Sequence, residues 1–222
     1  MTYYDLHTHH RPAAQVMAIQ NIMNPDAVEE TLMNDGYYSI GIHPWHIHPD
    51  HWQEDIETLR KHIQHPKVLA LGEAGLDRLV DLPLVVQQDV FQAMVQLSEE
   101  AKKPLIIHSV KTHAEIVMMY RNLKPTQPWI IHGFNVRWTI AEGMLQHNMY
   151  LSIGASVLSH HSSATDVVTR MPLGNLFIET DERPELLMEI YQRVALLKGI
   201  TVTELLENIR SRFEKLFGNV GS

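Results

Sequence analysis

Val68-Leu-Ala-Leu-Gly72-Glu73-Ala-Gly75-Leu-Asp77 opens as an unbroken apolar run and closes on two carboxylates. Four to eight apolar residues bounded by turn signals mark a strand buried on both faces, as in a parallel sheet. Working outward, the same form recurs seven more times. Strands are predicted over Tyr3–His9, Gln15–Ile22, Tyr37–His43, Val68–Glu73, Leu105–His108, Trp129–His132, Tyr150–Gly154 and Leu176–Asp181. Segments of helical periodicity lie between most of them, at 26–34, 51–65, 84–103, 113–123, 139–148, 163–171 and 184–198, and a last one spans 201–217. Strands alternating with helices imply parallel pairing through right-handed crossovers. Eight of them predict an α/β chain of the (β/α)8 TIM-barrel class, read as one domain over residues 1–222. One connection breaks the pattern. Only His10–Ala14 separates the first two strands, whereas a crossover helix needs about a dozen residues. Either the first crossover helix is missing or those two strands pair differently.

Composition narrows the chemistry. The chain has 222 residues, 45% hydrophobic and 20% charged, ordinary for a globular domain. It has no cysteine, so thiolate zinc sites and iron–sulfur clusters are excluded, and any metal must sit on imidazole and carboxylate. Fifteen histidines stand against 18 Lys plus Arg, an excess that directs attention to histidine spacing. The formal charge of −8 disfavours a broad nucleic-acid footprint. The opening residues lack the basic and apolar regions of a signal peptide, and no apolar run is long enough for a membrane span. A cytoplasmic protein with no membrane association and no obligate protein partner is expected.

Active sites of such barrels sit at the C-terminal ends of the strands. Here the apolar runs stop on His7-Thr-His9, Gly41-Ile-His43-Pro44, Gly72-Glu73, Ile107-His108-Ser109, Ile131-His132-Gly133 and Glu179-Thr-Asp181. Residues two apart on a strand share a face, so His7 and His9 can point together. His46 and His48 share that spacing but lie on a Pro-containing loop and read as incidental. A carboxylate closing a buried strand needs a partner, and a divalent cation can serve several at once. His7, His9, Glu73, His108, His132 and Asp181 are therefore the candidate metal ligands. Carboxylate with neutral imidazole suits Zn, Mn or Mg. Two such ions about 3.5–4 Å apart can activate water and stabilise both attacking and leaving oxygens. In that scheme Glu73 bridges the ions, while Asp181 binds one and takes a proton from the nucleophilic water. His43 is assigned to the substrate.

Taken in order, these motifs resemble the TatD family of metal-dependent deoxyribonucleases. Asp5-Leu-His7-Thr-His9 is similar to the family's opening D-x-H-x-H, Gly41-Ile-His43-Pro44 to G-I-H-P, and Gly72-Glu73-Ala-Gly75-Leu-Asp77 to G-E-x-G-L-D. Pro104-Leu-Ile-Ile-His108-Ser109 resembles P-x-I-I-H-S, and Ile131-His132-Gly-Phe134 the later H-x-F. Glu179-Thr-Asp181 resembles E-T-D, and Leu216-Phe-Gly218 the closing L-F-G. The resemblance covers essentially the whole chain. It implies a dinuclear metal site, hydrolysis of phosphodiester bonds, typically in DNA, and the same six ligands, none of them substituted.

Departures cluster around the substrate. Val110 stands where the family usually has Arg, Arg78 where it often has an aromatic, and Glu182-Arg183-Pro184 where it usually has S-P-Y before a long loop. Arg78, Lys111 and Arg183 are the cations placed to compensate. Together these changes predict an open, shallow site that prefers short or terminal phosphodiesters to internal bonds of duplex DNA. Two alternatives keep the fold: a metal-dependent hydrolase of a small phosphoester, amide or lactone, and a degenerate metal-binding barrel without catalysis.

Overall fold

The computed structural model describes residues 2–218. Its strands are β1 (Tyr3–Thr8), β2 (Val16–Ile22), β3 (Tyr37–Ile40), β4 (Val68–Asp77), β5 (Leu105–Val110), β6 (Trp129–Ile131), β7 (Tyr150–Ile153) and β8 (Leu176–Ile178). They follow one another in chain order within one sheet, as the (β/α)8 class requires. All eight predicted strands are present. The largest change of bounds is in β4, which runs four residues past the predicted Glu73 to Asp77 with every residue buried.

The chain divides into two compact units, one formed before Asn21 and after Trp129, the other by Asn21–Trp129. In the first unit, β1 pairs parallel with β2, β6 with β7, and β7 with β8. A bridge from Thr8 to Asp181 ties the last strand's extension back to β1. Helices α5 (Trp138–Leu145), α6 (Ser163–Arg170), α7 (Leu187–Lys198) and α8 (Val202–Phe217) complete it. The last begins with a reciprocal cap, in which the Thr201 hydroxyl and Glu204 carboxylate each satisfy the other's backbone N–H. Leu6, Ile153, Phe177, Ile190, Val194 and Phe213 are among its core residues.

The missing helix is confirmed among the described residues, and the strands it would have joined still pair parallel, Tyr3 opposite Val16. Residues 9–15 make the whole connection. Seven extended residues reach about 23 Å, just over the roughly 20 Å length of a six-residue strand. An extended segment can therefore return the chain to the start of β1 without a helix.

In the second unit β3, β4 and β5 pair parallel, with α1 (Val28–Thr31), α2 (Trp52–His62), α3 (Leu84–Ala101) and α4 (His113–Leu123). The helix predicted over 26–34 shrinks to a 3-10 turn, Pro25–Ala27, and the four residues of α1. Helix α3 lays Val90, Phe91 and Met94 in the core. The pairing of β4 with β5 slips between Leu71 and Ala74, at the Gly72-Glu73 step. Two glycines make this close approach possible. A Cβ on Gly72 would stand 2.3 Å from the Ile106 carbonyl oxygen, and one on Gly75 2.0 Å from that of His108. Both also have positive φ, +114° and +156°, where a side chain is strained. Hence the two glycines of G-E-A-G belong to the backbone that presents Glu73.

Candidate metal centre

In the first unit the site is built where β1 ends against the segment after β8. The Asp181 N–H donates to the His7 carbonyl at 2.9 Å, and the His9 N–H donates to the Asp181 carbonyl at 3.2 Å. Thus pinned on both sides, Asp181 takes φ +53°, a left-handed conformation that aspartate tolerates better than most residues. Its Oδ1 lies 3.3 Å from His9 Nε2 and 3.7 Å from His7 Nε2, and the side chain stays 42% exposed. The His7 ring is 4.9 Å from that of His9 and 4.5 Å from that of His132. One ligand atom from each of His7, His132 and Asp181 falls within 4.8 Å of the others.

The other two residues of Glu179-Thr-Asp181 work behind this cluster. Fully buried Glu179 accepts the Gly133 N–H at 2.5 Å through Oε1, which also lies 3.5 Å from His132 Nδ1. A carboxylate behind a ligating imidazole fixes its ring and tautomer. Thr180 donates its backbone N–H to Asp5 Oδ1 at 3.0 Å and its hydroxyl to Oδ2 at 2.6 Å. Burial pushes the Asp5 carboxyl up to about 7, against the pull of those two bonds. So the D-x-H-x-H and E-T-D motifs interlock: Asp5 with Thr180, His7 and His9 with Asp181.

A second cluster forms in the second unit, between the middle of β4 and the second half of β5. Glu73, only 3% exposed, has Oε1 2.7 Å from His108 Nδ1 and 3.3 Å from His43 Nε2. Its backbone N–H donates to buried Asn21 Oδ1 at 2.8 Å, an oxygen that also accepts the Ser39 hydroxyl at 3.0 Å. His108 Nε2 lies 3.2 Å from Asp77 Oδ2. Asp77 is held in turn: Oδ2 accepts the Trp45 indole N–H at 3.0 Å, Oδ1 accepts the Leu79 N–H at 2.8 Å, and its own N–H donates to Gln87 at 2.8 Å. Burial raises the Asp77 pKa, but the bonds from Trp45, Leu79 and His108 outweigh it and leave the group below its ordinary value.

His43 belongs to this cluster by position, and a turn sets its tautomer. Its Nδ1 accepts the Trp45 backbone N–H at 3.1 Å, so the neutral ring carries its proton on Nε2, facing Glu73. In that form Nε2 donates a hydrogen bond and has no lone pair for a metal.

Taken unit by unit, His7, His9, His132 and Asp181 gather in the first and Glu73 and His108 in the second. Both sets offer only carboxylate oxygens and imidazole nitrogens, buried or half-buried, which fits a divalent cation of the zinc or manganese type. Sequence reading missed the groups that hold them, namely Asp5, Asn21, Asp77, Gln87, Glu179 and Thr180. Asp5, Asp77 and Glu179 carried a signal, since each is an acid inside a quoted motif; Asn21 and Gln87 carried none. The cations proposed to compensate around the substrate divide. Arg78 is paired with Glu115, and Arg183 with Glu185 at 2.6 Å. Lys111 is exposed and in no ion pair among the described residues.

The family described as TatD related DNase matches residues 15–218. The uncharacterized metal-dependent hydrolase YcfH of Escherichia coli is 28% identical over 196 residues, 81% of this chain and 73% of its own. Human 3'-5' RNA nuclease TATDN2 is 29% identical over 160 residues, 69% of this chain and 21% of its own. The crystal structure of the TatD homologue YjjV from Escherichia coli superposes with a TM-score of 0.85 at 23% identity, covering 97% of both chains.

Proposed function

The chain belongs to the TatD family, and we propose that it is a metal-dependent hydrolase cleaving phosphodiester bonds at short or terminal, single-stranded positions of nucleic acid. The observation that carries this reading is the pair of imidazole–carboxylate clusters, partly buried His7/His9/His132/Asp181 and buried Glu73/His108. Taking so many ionisable groups out of water is costly without a cation to share. We assign those six residues as ligands of divalent ions, two in number. Such ions, when bound, supply Lewis acidity and a water of lowered pKa.

The protein's own groups then have distinct tasks. Asp181 turns Oδ1 to His7 and His9, and its exposed carboxylate receives the proton of the attacking water on Oδ2. Glu73 is held by Asn21 and His108 and acts as a fixed anchor. His43, with its proton on Nε2, is the hydrogen-bond donor assigned to the substrate phosphate. Glu179 and Asp77 orient His132 and His108.

Substrate size follows from charge. Affinity for long nucleic acid comes largely from cations on phosphates, yet the chain carries −8, Arg78 and Arg183 are paired locally, and Val110 takes an expected Arg position. TATDN2, by its name a 3'-5' RNA nuclease, is consistent with action at chain ends.

The test is a rate panel on metal-stripped protein reloaded with Zn, Mn or Mg. Rates should fall from a model phosphodiester, through a short single-stranded DNA or RNA oligonucleotide, to plasmid DNA. No turnover with any metal overturns the reading, and efficient plasmid degradation at physiological salt overturns the size preference.

A further inference from the structure

Trp45 follows His43-Pro44 and is 65% exposed, although indole is among the side chains with most to gain from burial. The chain has four tryptophans; Trp129 is buried, and Trp138 lies under the Arg170 guanidinium at 4.4 Å. Exposure alone means little for a single residue. Trp45, however, is not left to swing in solvent. Its indole N–H is fixed on Asp77 at 3.0 Å, and its backbone N–H on His43 at 3.1 Å. Its ring stands nearly perpendicular to that of His43, with centroids 5.0 Å apart, and 6.5 Å from that of His108. The same carboxylate holds the backbone of Leu79, another large exposed apolar residue at 67%. The result is an oriented aromatic surface, anchored at its polar edge and open to solvent, beside the Glu73/His108 cluster.

We propose that Trp45 is the platform on which the base flanking the scissile phosphate stacks, which makes the substrate a nucleotide chain rather than a simple phosphoester. This rests on the phosphodiesterase reading above. Stacking is indifferent to base identity because every base has a π-face, and it needs no cationic groove. It therefore supplies binding where this acidic chain lacks cations. Pre-fixing the ring removes the entropy cost of ordering it on binding.

The experiment compares kcat/KM on a short single-stranded oligonucleotide with that on the same oligonucleotide made abasic next to the cleaved bond. The parent protein should favour the base-bearing substrate by roughly 5- to 150-fold, the worth of one stacked base. Trp45→Ala should bring the ratio to about one. Trp45→Phe keeps an aromatic face but loses the N–H to Asp77, and should retain the ratio within about threefold. A parent ratio near one, or an unchanged ratio in Trp45→Ala, overturns the proposal, the latter because loss through Asp77 would fall on both substrates alike. Fluorescence separates failure of the platform from failure of the reaction. Adenosine monophosphate should quench the parent's tryptophan emission and leave Trp45→Phe unquenched. Quenching without hydrolysis sinks the reaction and keeps the platform; absence of quenching sinks the platform whatever the turnover.

Discussion

The two clusters use the same imidazole and carboxylate side chains on opposite terms. At the end of β1, Asp181 is pinned by its backbone, forced to positive φ, and left 42% exposed at its side chain. Midway along β4, Glu73 is 3% exposed, its backbone N–H is bonded to Asn21, the imidazoles of His43 and His108 face its carboxylate, and Asp77 stands behind His108. The first arrangement fixes where a carboxylate starts and leaves its oxygens reachable. The second fixes the carboxylate itself. A group that must exchange a proton needs access, whereas a group that must not move needs a surrounding network.

That contrast can be broken most sharply at Asp181. Asp181→Asn keeps the shape and the backbone bonds but cannot take a proton and is a poorer ligand. Turnover should fall by roughly 100- to 10,000-fold, with the urea unfolding midpoint little changed. Turnover within about threefold of the parent would remove Asp181 from the mechanism.

The β4 side should respond through stability. Gly75→Ala forces a Cβ to within 2.0 Å of the His108 carbonyl at φ +156°. The cost should be about 3 kcal/mol or more, read by urea unfolding. Because β5 must shift to relieve the clash, metal content should fall as well. A variant as stable as the parent would show that the close approach of β4 to β5 is not required.

A smaller effect should separate the ligands from the groups behind them. Asp77→Asn presents an amide N–H₂ where Oδ2 now faces Trp45 and His108 Nε2. Metal affinity should drop roughly 10- to 100-fold while the fold persists, the usual loss when an acid behind a ligating imidazole is removed. Metal titration of the variant checks it, and unchanged affinity would reduce Asp77 to a structural anchor for Trp45 and Leu79.

Much of this was visible along the chain because it is local. Burial on both faces produces apolar runs, and a polar residue that ends such a run falls in the C-terminal half of its strand or just after it. Hence His7, His9, Glu73, His108, His132 and Asp181 could be chosen without coordinates, and the short His10–Ala14 gap marked the missing helix. Strand and helix ends were less legible. The 26–34 helix collapsed to one short turn and α1, and β4 ran on to Asp77, since tertiary pairing rather than local pattern decides where a strand stops. Arg78 and Arg183 were read as candidate substrate cations, yet nearby acids claim both.

By itself, then, the sequence determined the fold class and the imidazole and carboxylate groups that close its apolar runs, because periodicity and burial act over a few residues. Only the tertiary structure decided which groups meet. It set Asp5 against Thr180 across 175 positions, put the His43 proton on Nε2 through a turn, and fixed the Trp45 ring on an acid 32 residues away. Hydrogen bonds reach about 3 Å. Whether two residues lie that close depends on how the whole chain packs, which no short stretch of sequence encodes.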